Sequence, residues 1–245
     1  MTSETRTPQL TPALEDYLET IFRLLSRQAT VRVRDIAEAR DVRPGSVTPA
    51  MKRLDELGLI DYAQRDSVGL TEAGLKAARR VYSRHQVLQR FFSSFLGLPD
   101  DIAERDACAM EHSLSRQAID KLVRYLEYVE VCPEAAGDVH RFHHCSAVNP
   151  EADPCPHDCS LKPTNLEGAK LMSLSELRPG QQGRVRQIEG AGAVRQRLLD
   201  MGLLPDVMLT MERKAPTGDP VWIKLQGFEM ALRKSEARMV AVESL

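Results

Sequence analysis

The hydrophobic period of this chain changes once, and that change limits the architecture more than any single motif. Through residue 131 the apolar residues recur mainly at the spacing of amphipathic helices, whereas from 182 onward they alternate with a period of two. Between these regions Pro133, Pro150, Pro154, Pro156 and Pro163 break any long helix. The expected fold is mainly α: a winged helix-turn-helix over 1–74, a helical dimerisation domain over 75–131, a linker rich in Cys, His and Pro over 132–170, and a small β-barrel over 171–245.

The amino-terminal part carries the most specific local pattern. Leu14, Leu18, Ile21, Phe22 and Leu25 predict a helix over 10–28. Asp16 and Glu19 sit near its start, where two acids complement the helix dipole. A short amphipathic helix over 33–40 is broken at Asp41-Val42-Arg43-Pro44-Gly45. Ser46 is expected to cap a second helix from Val47 to Leu57, ended by Gly58. Two short strands around Gln64-Arg65-Asp66-Ser67 then complete a winged form of the motif. In that geometry the second helix enters a major groove. Arg43, Ser46, Thr48 and Pro49 lie near base edges, while Lys52, Arg53 and Arg65 reach phosphates. The net charge of −2 places any such contact in a local patch, not in the global field.

A second cluster, Cys108-Ala109-Met110-Glu111-His112, puts a thiol, a carboxylate and an imidazole within five residues. On a helix these stand at i, i+3 and i+4, on one face. That donor mix suits a borderline transition ion, not Ca²⁺ or Mg²⁺. His85 lies in a helix expected over 74–96 with Leu88, Phe91, Phe92 and Phe95 on its apolar face, and becomes a ligand only if another donor set needs a partner. Ser113 to Val131 reads as an amphipathic helix, and its wide apolar face points to a homodimer.

The linker holds Cys132, Cys145, Cys155 and Cys159 among four histidines. These could hold structural zinc or an iron–sulfur cluster, or form a tether with free thiols; the spacing matches neither metal signature. An odd total of five cysteines, no export signal and no run of membrane-spanning length predict a cytoplasmic protein without a disulfide framework. In the last domain the alternating runs at 182–188, 207–211, 221–225 and 238–242 surround one short helix, Ala193 to Met201, stopped by Gly202. Nothing in the chain has the nucleophile–base pair or phosphate-cradling loop of an enzyme.

Taken together, Leu14-Glu15-Asp16-Tyr17-Leu18-Glu19, the wing ending Gly69-Leu70-Thr71-Glu72-Ala73-Gly74, His85 and Cys108-x-x-Glu111-His112 resemble the DtxR/MntR family of metal-dependent repressors. The tail, from Leu177-Arg178-Pro179-Gly180 through Arg197-Leu198-Leu199-Asp200-Met201-Gly202, resembles a FeoA-type SH3-like domain. The resemblance implies a regulatory metal site of Asp16, Glu19, His85, Cys108, Glu111 and His112. Asp16 and Glu19 match the manganese-responsive branch and Cys108 the iron-responsive one, so Fe²⁺ is the expected effector and Mn²⁺ the alternative. Against the family's ancillary site, Gln89 stands for a carboxylate, Glu104 for a histidine, and Ala191 and Val194 for the third-domain ligands. The implied function is repression from a double-stranded operator by a homodimer. Two other functions compatible with the residues are a redox regulator using the linker cysteines and an accessory module for ferrous-iron transport acting through the tail.

Overall fold

The computed structural model describes residues 10–62, 67–131 and 171–245. The chain forms two compact units, the first running to Tyr82 and the second starting at Ser83. Among the described residues no helix is long and apolar enough to cross a membrane.

In the first unit, α1 (Pro12–Leu25) packs with α2 (Val33–Ala39) and α3 (Pro44–Glu56) over a core that includes Leu18, Ile21, Phe22, Ile36, Val47, Met51 and Leu54. The start of α2 is fixed by Asp35, whose Oδ2 accepts from the Arg32 backbone N–H at 2.8 Å. The helix α3 begins earlier than expected. Pro44 occupies its first turn and Arg43 is the N-cap, so Ser46 lies inside the helix and does not cap it. Proline at that position sacrifices no intrahelical donor. Pro49 is also accommodated within α3, where its missing N–H costs one intrahelical donor. Past the end of α3, Gly58 takes φ +68° and Leu59 N–H bonds to Leu54 O at 3.0 Å, closing a Schellman-type cap.

The wing is a three-stranded antiparallel sheet in the order β1 (Val31–Arg32), β3 (Ser67–Leu70), β2 (Ile60–Tyr62). The two-residue β1 is too short to carry an alternation signal. Thr71 then starts α4 (Glu72–Arg90): its Oγ1 accepts from Gly74 N–H at 3.0 Å and donates to Gly58 O at 2.8 Å. This draws α4 so close to the wing that a Cβ on Gly74 would lie 1.7 Å from Leu59 O. Gly74→Ala is therefore expected to destabilise the protein by about 3 kcal/mol, the upper end of overpacking costs. A urea midpoint within error of wild type would contradict this close approach.

In the second unit, α4 ends in a π-helical turn, Phe91–Phe95, followed by α5 (Asp100–Met110) and α6 (Arg116–Val131). The carboxy-terminal part is a six-stranded antiparallel sheet in which the first and last strands pair and the last also pairs with the second. Its strands are β4 (Leu171–Ser173), β5 (Gln182–Ile188), β6 (Met208–Lys214), β7 (Val221–Leu225), β8 (Phe228–Leu232) and β9 (Val240–Ser244). Register shifts in β5 at Val185/Gln187 and in β6 at Met211/Arg213 bend it. The helix α7 (Gly192–Asp200) is stopped by Gly202 at φ +87°, and α8 (Lys234–Ala237) precedes the last strand. One apolar core runs from Leu88, Ala103, Ile119, Val123 and Leu126 into Leu174, Val185, Leu198, Ile223 and Val242. Part of the apolar face of α6 is thus covered by the chain's own β domain.

That contact also contains charge. Arg195 on α7 is 1% exposed. It donates to Asp120 Oδ1 at 2.9 Å, to Glu127 Oε2 at 2.8 Å and to the carbonyl of Ile188. Glu127 also accepts from Ile188 N–H at 3.1 Å, and Arg124 donates to Asp120 and to Gly190 O. A buried charge is tolerated when its hydrogen bonds are met this fully.

Candidate metal centre and nucleic-acid interface

The donor cluster in the second unit is built from α4, α5 and the turn after α5. Helix α5 ends at Met110, so Glu111 is its C-cap, still in the helical region, and His112 lies in the following turn. The helical spacing expected of Cys108 and Glu111 therefore survives, but only up to that point. Glu111 is fully buried. Its Oε2 lies 2.8 Å from His85 Nδ1, and its Oε1 lies 3.2 Å from His112 Nε2. The second contact is at ion-pair distance without hydrogen-bond geometry, which leaves Oε1 a buried acceptor with no hydrogen bond. The other ring nitrogen of His85 lies 2.9 Å from Glu104 Oε2. Cys108 is exposed on α5.

This arrangement fits a cation. One buried imidazole faces two carboxylates, and an inward-facing carboxylate oxygen has no N–H to satisfy it. Buried anionic oxygen of this kind is costly unless it is paired or coordinates a metal. Imidazole and carboxylate together suit Mn²⁺, Fe²⁺ and their neighbours. Glu104, assigned by resemblance to an ancillary position, is held here on His85. Ala191 is the N-cap of α7 and Val194 is 43% exposed, and neither side chain can ligate. Gln89 lines a separate cavity of about 290 Å³ with Arg90, Ser93, Pro205 and Asp206.

Asp16 and Glu19 lie on α1 of the first unit. Asp16 Oδ2 accepts from Arg40 Nη2 at 2.9 Å, and Glu19, 5% exposed, has Oε1 3.8 Å from Arg23 Nη1. Cys132, Cys145, Cys155 and Cys159 lie outside the described residues, as does Arg65.

On α3 the buried stripe Val47, Met51, Leu54 leaves the opposite face open. Arg43, Ser46, Pro49, Lys52 and Arg53 are exposed, and Thr48 is half-buried with its Oγ1 3.4 Å from Pro44 O. Arg53 is paired with Glu56 at 2.9 Å. Lys52 and Arg53 thus share the exposed face with Ser46 and Pro49, the arrangement a groove-reading helix needs.

A winged helix joined in one chain to a buried donor cluster defines a ligand-responsive DNA-binding regulator. Comparison with known proteins gives the particular kind. Residues 9–68 match the iron dependent repressor, N-terminal DNA binding domain. Residues 71–138 match the iron dependent repressor, metal binding and dimerisation domain, and 172–244 the FeoA domain. The HTH-type transcriptional regulator MntR of Geobacillus kaustophilus is 37% identical over 134 residues, 54% of this chain and 94% of that protein. MntR of Lysinibacillus sphaericus is 34% identical, over 51% of this chain and 88% of its own length. Among solved structures, the crystal structure of T. acidophilum IdeR aligns over 97% of this chain and 99% of its own, at 21% identity and a TM-score of 0.43. The chain belongs to the DtxR/MntR family of metal-dependent, DNA-binding transcriptional repressors and carries a FeoA-type carboxy-terminal domain.

Proposed function

We propose that this chain is an iron-responsive repressor, with Asp16, Glu19, His85, Cys108, Glu111 and His112 as the ligand set and Fe²⁺ as the physiological effector. The observation that carries the reading is Glu111, a fully buried carboxylate between two imidazoles with one oxygen left without a hydrogen bond. When bound, a divalent ion supplies concentrated positive charge that several of these donors can share. Glu111 and His85 anchor the set from the core of the helical unit. Asp16 and Glu19 contribute the first helix, so that occupancy is felt by the winged helix it packs against. The thiol of Cys108 softens the set and favours Fe²⁺ over Mn²⁺, whose preference is for oxygen and nitrogen. On the DNA side, Arg43, Ser46, Thr48 and Pro49 read bases, while Lys52, Arg53 and Arg65 hold phosphates of an operator bound by a homodimer.

The test is anaerobic operator binding by the full chain, with the operator first selected from random duplexes in the presence of Fe²⁺. Fe²⁺ is expected to tighten binding roughly 5–150-fold over chelator, and Mn²⁺ to do so less effectively at equal free concentration. Equal affinity with chelator and with either ion would overturn the reading. Stronger activation by Mn²⁺ would overturn its assignment to iron.

A further inference from the structure

Arg40, the C-cap of α2, reaches across to α1 and touches three of its residues. Its Nη2 donates to Asp16 Oδ2 at 2.9 Å and its Nη1 to Thr20 Oγ1 at 3.4 Å. Its guanidinium carbon lies 4.6 Å from the centroid of the Tyr17 ring. Thr20 in turn donates to Asp16 O at 2.8 Å, so the cation, the hydroxyl and the carboxylate residue form one local set. The side chains of Arg40 and Asp16 are only 26% and 21% exposed, so water screens the pair less than an open surface pair.

We propose that Arg40 is a resident cation competing with the regulatory metal for Asp16, and that it sets the metal concentration at which the repressor switches. The proposal rests on the ligand set above, in which Asp16 is a member. A carboxylate already neutralised by a guanidinium at 2.9 Å offers less to a second cation, and a divalent ion at the same carboxylate is repelled by the arginine it approaches. The position of Arg40 adds a consequence for DNA. The next residue, Asp41, turns the chain toward α3 at φ +51°, so the occupancy of Asp16 bears directly on the joint that aims the recognition helix. Nε of Arg40 has no hydrogen bond, so its hold on α1 rests on the two Nη donors and the stack on Tyr17.

The experiment measures Fe²⁺ and Mn²⁺ affinity of the full chain, anaerobically and without DNA, by competition with a fluorescent chelator. Arg40→Gln removes the charge at similar length, Arg40→Met keeps the stem against Tyr17, and Arg40→Lys keeps the charge. Arg40→Gln and Arg40→Met are expected to bind either ion roughly five- to tenfold tighter than wild type, and Arg40→Lys about as wild type. Asp16→Asn is expected to bind more weakly than wild type. If Arg40 only braces α1 against α2, both neutral variants bind metal no better than wild type while Asp16→Asn still weakens, which overturns the competition alone. Unchanged affinity in Asp16→Asn removes Asp16 from the ligand set and overturns both readings.

Discussion

Glu111→Ala is expected to abolish the metal dependence of operator binding while leaving the chain folded. The side chain is fully buried and meets both imidazoles, His85 Nδ1 at 2.8 Å and His112 Nε2 at 3.2 Å. Removing it takes away a ligand and the group that orients a second. Loss of an orienting partner alone costs roughly 10–100-fold in metal affinity, and loss of a ligand adds to that. The coupled gain in operator affinity, roughly 5–150-fold, should vanish with it. His85 keeps Glu104 at 2.9 Å, which limits the damage to the fold of the helical unit. Calorimetric metal titration and fluorescence anisotropy on one operator check both halves. A variant that binds the ion as tightly as wild type would remove Glu111 from the ligand set.

The second large effect concerns stability. Arg195→Met should cost about 3–5 kcal/mol, because it leaves the buried carboxylate of Glu127 to the Ile188 N–H and strips Asp120 of one of its two arginines. The pH dependence follows from the two acids. Burial pushes the Glu127 carboxyl above its ordinary 4.5, against the pull of Arg195. Burial would also raise Asp120, but hydrogen bonds and charge from Arg124 and Arg195 outweigh it and hold the group below its ordinary 3.8. The stabilisation from Asp120 is therefore present above that ordinary value and is lost as pH falls. Glu127 is a cost above its ordinary value, relieved as pH falls and the group takes up a proton. Without Arg195 the first contribution shrinks and the second cost grows, so the deficit should be largest at neutral pH and narrow toward acid. Urea unfolding at pH 7 and at pH 5 reads both values. Glu127→Met in the same chain should recover much of the loss; no recovery would mean that packing, not charge, is at stake.

The sequence shows some of these features plainly and hides others. The helices α1, α2, α3 and α6 announce themselves because each buries a stripe at helical spacing, the strand at 221–225 because it buries every second residue, and the strand at 182–188 because it does so up to its bulge after Val185. The start of α3 is hidden because Ser46 looks like a common cap, whereas Pro44 sets the first turn. Glu111 and His85 were legible through motif spacing and family resemblance. Glu104 on His85 was not, since nineteen residues separate them and only the packing of α4 on α5 joins them. Arg40 and Arg195 were hidden for the same reason: an arginine at a helix end reads as solvated charge until its partners are seen. Asp120, Arg124 and Glu127 recur at i, i+4 and i+7, which as sequence is an ordinary charged face. It becomes a docking face only because Arg195 lies opposite.

On the proposed ligand set, one ion's occupancy of these donors and operator occupancy are linked. Linkage is reciprocal, so Fe²⁺ affinity should be measured anaerobically on the free homodimer and again on the operator complex. The operator should tighten Fe²⁺ binding by the same factor by which Fe²⁺ tightens operator binding, within the roughly 5–150-fold range of such couplings. An ion that binds equally well with and without operator would contradict the account, however tightly it binds.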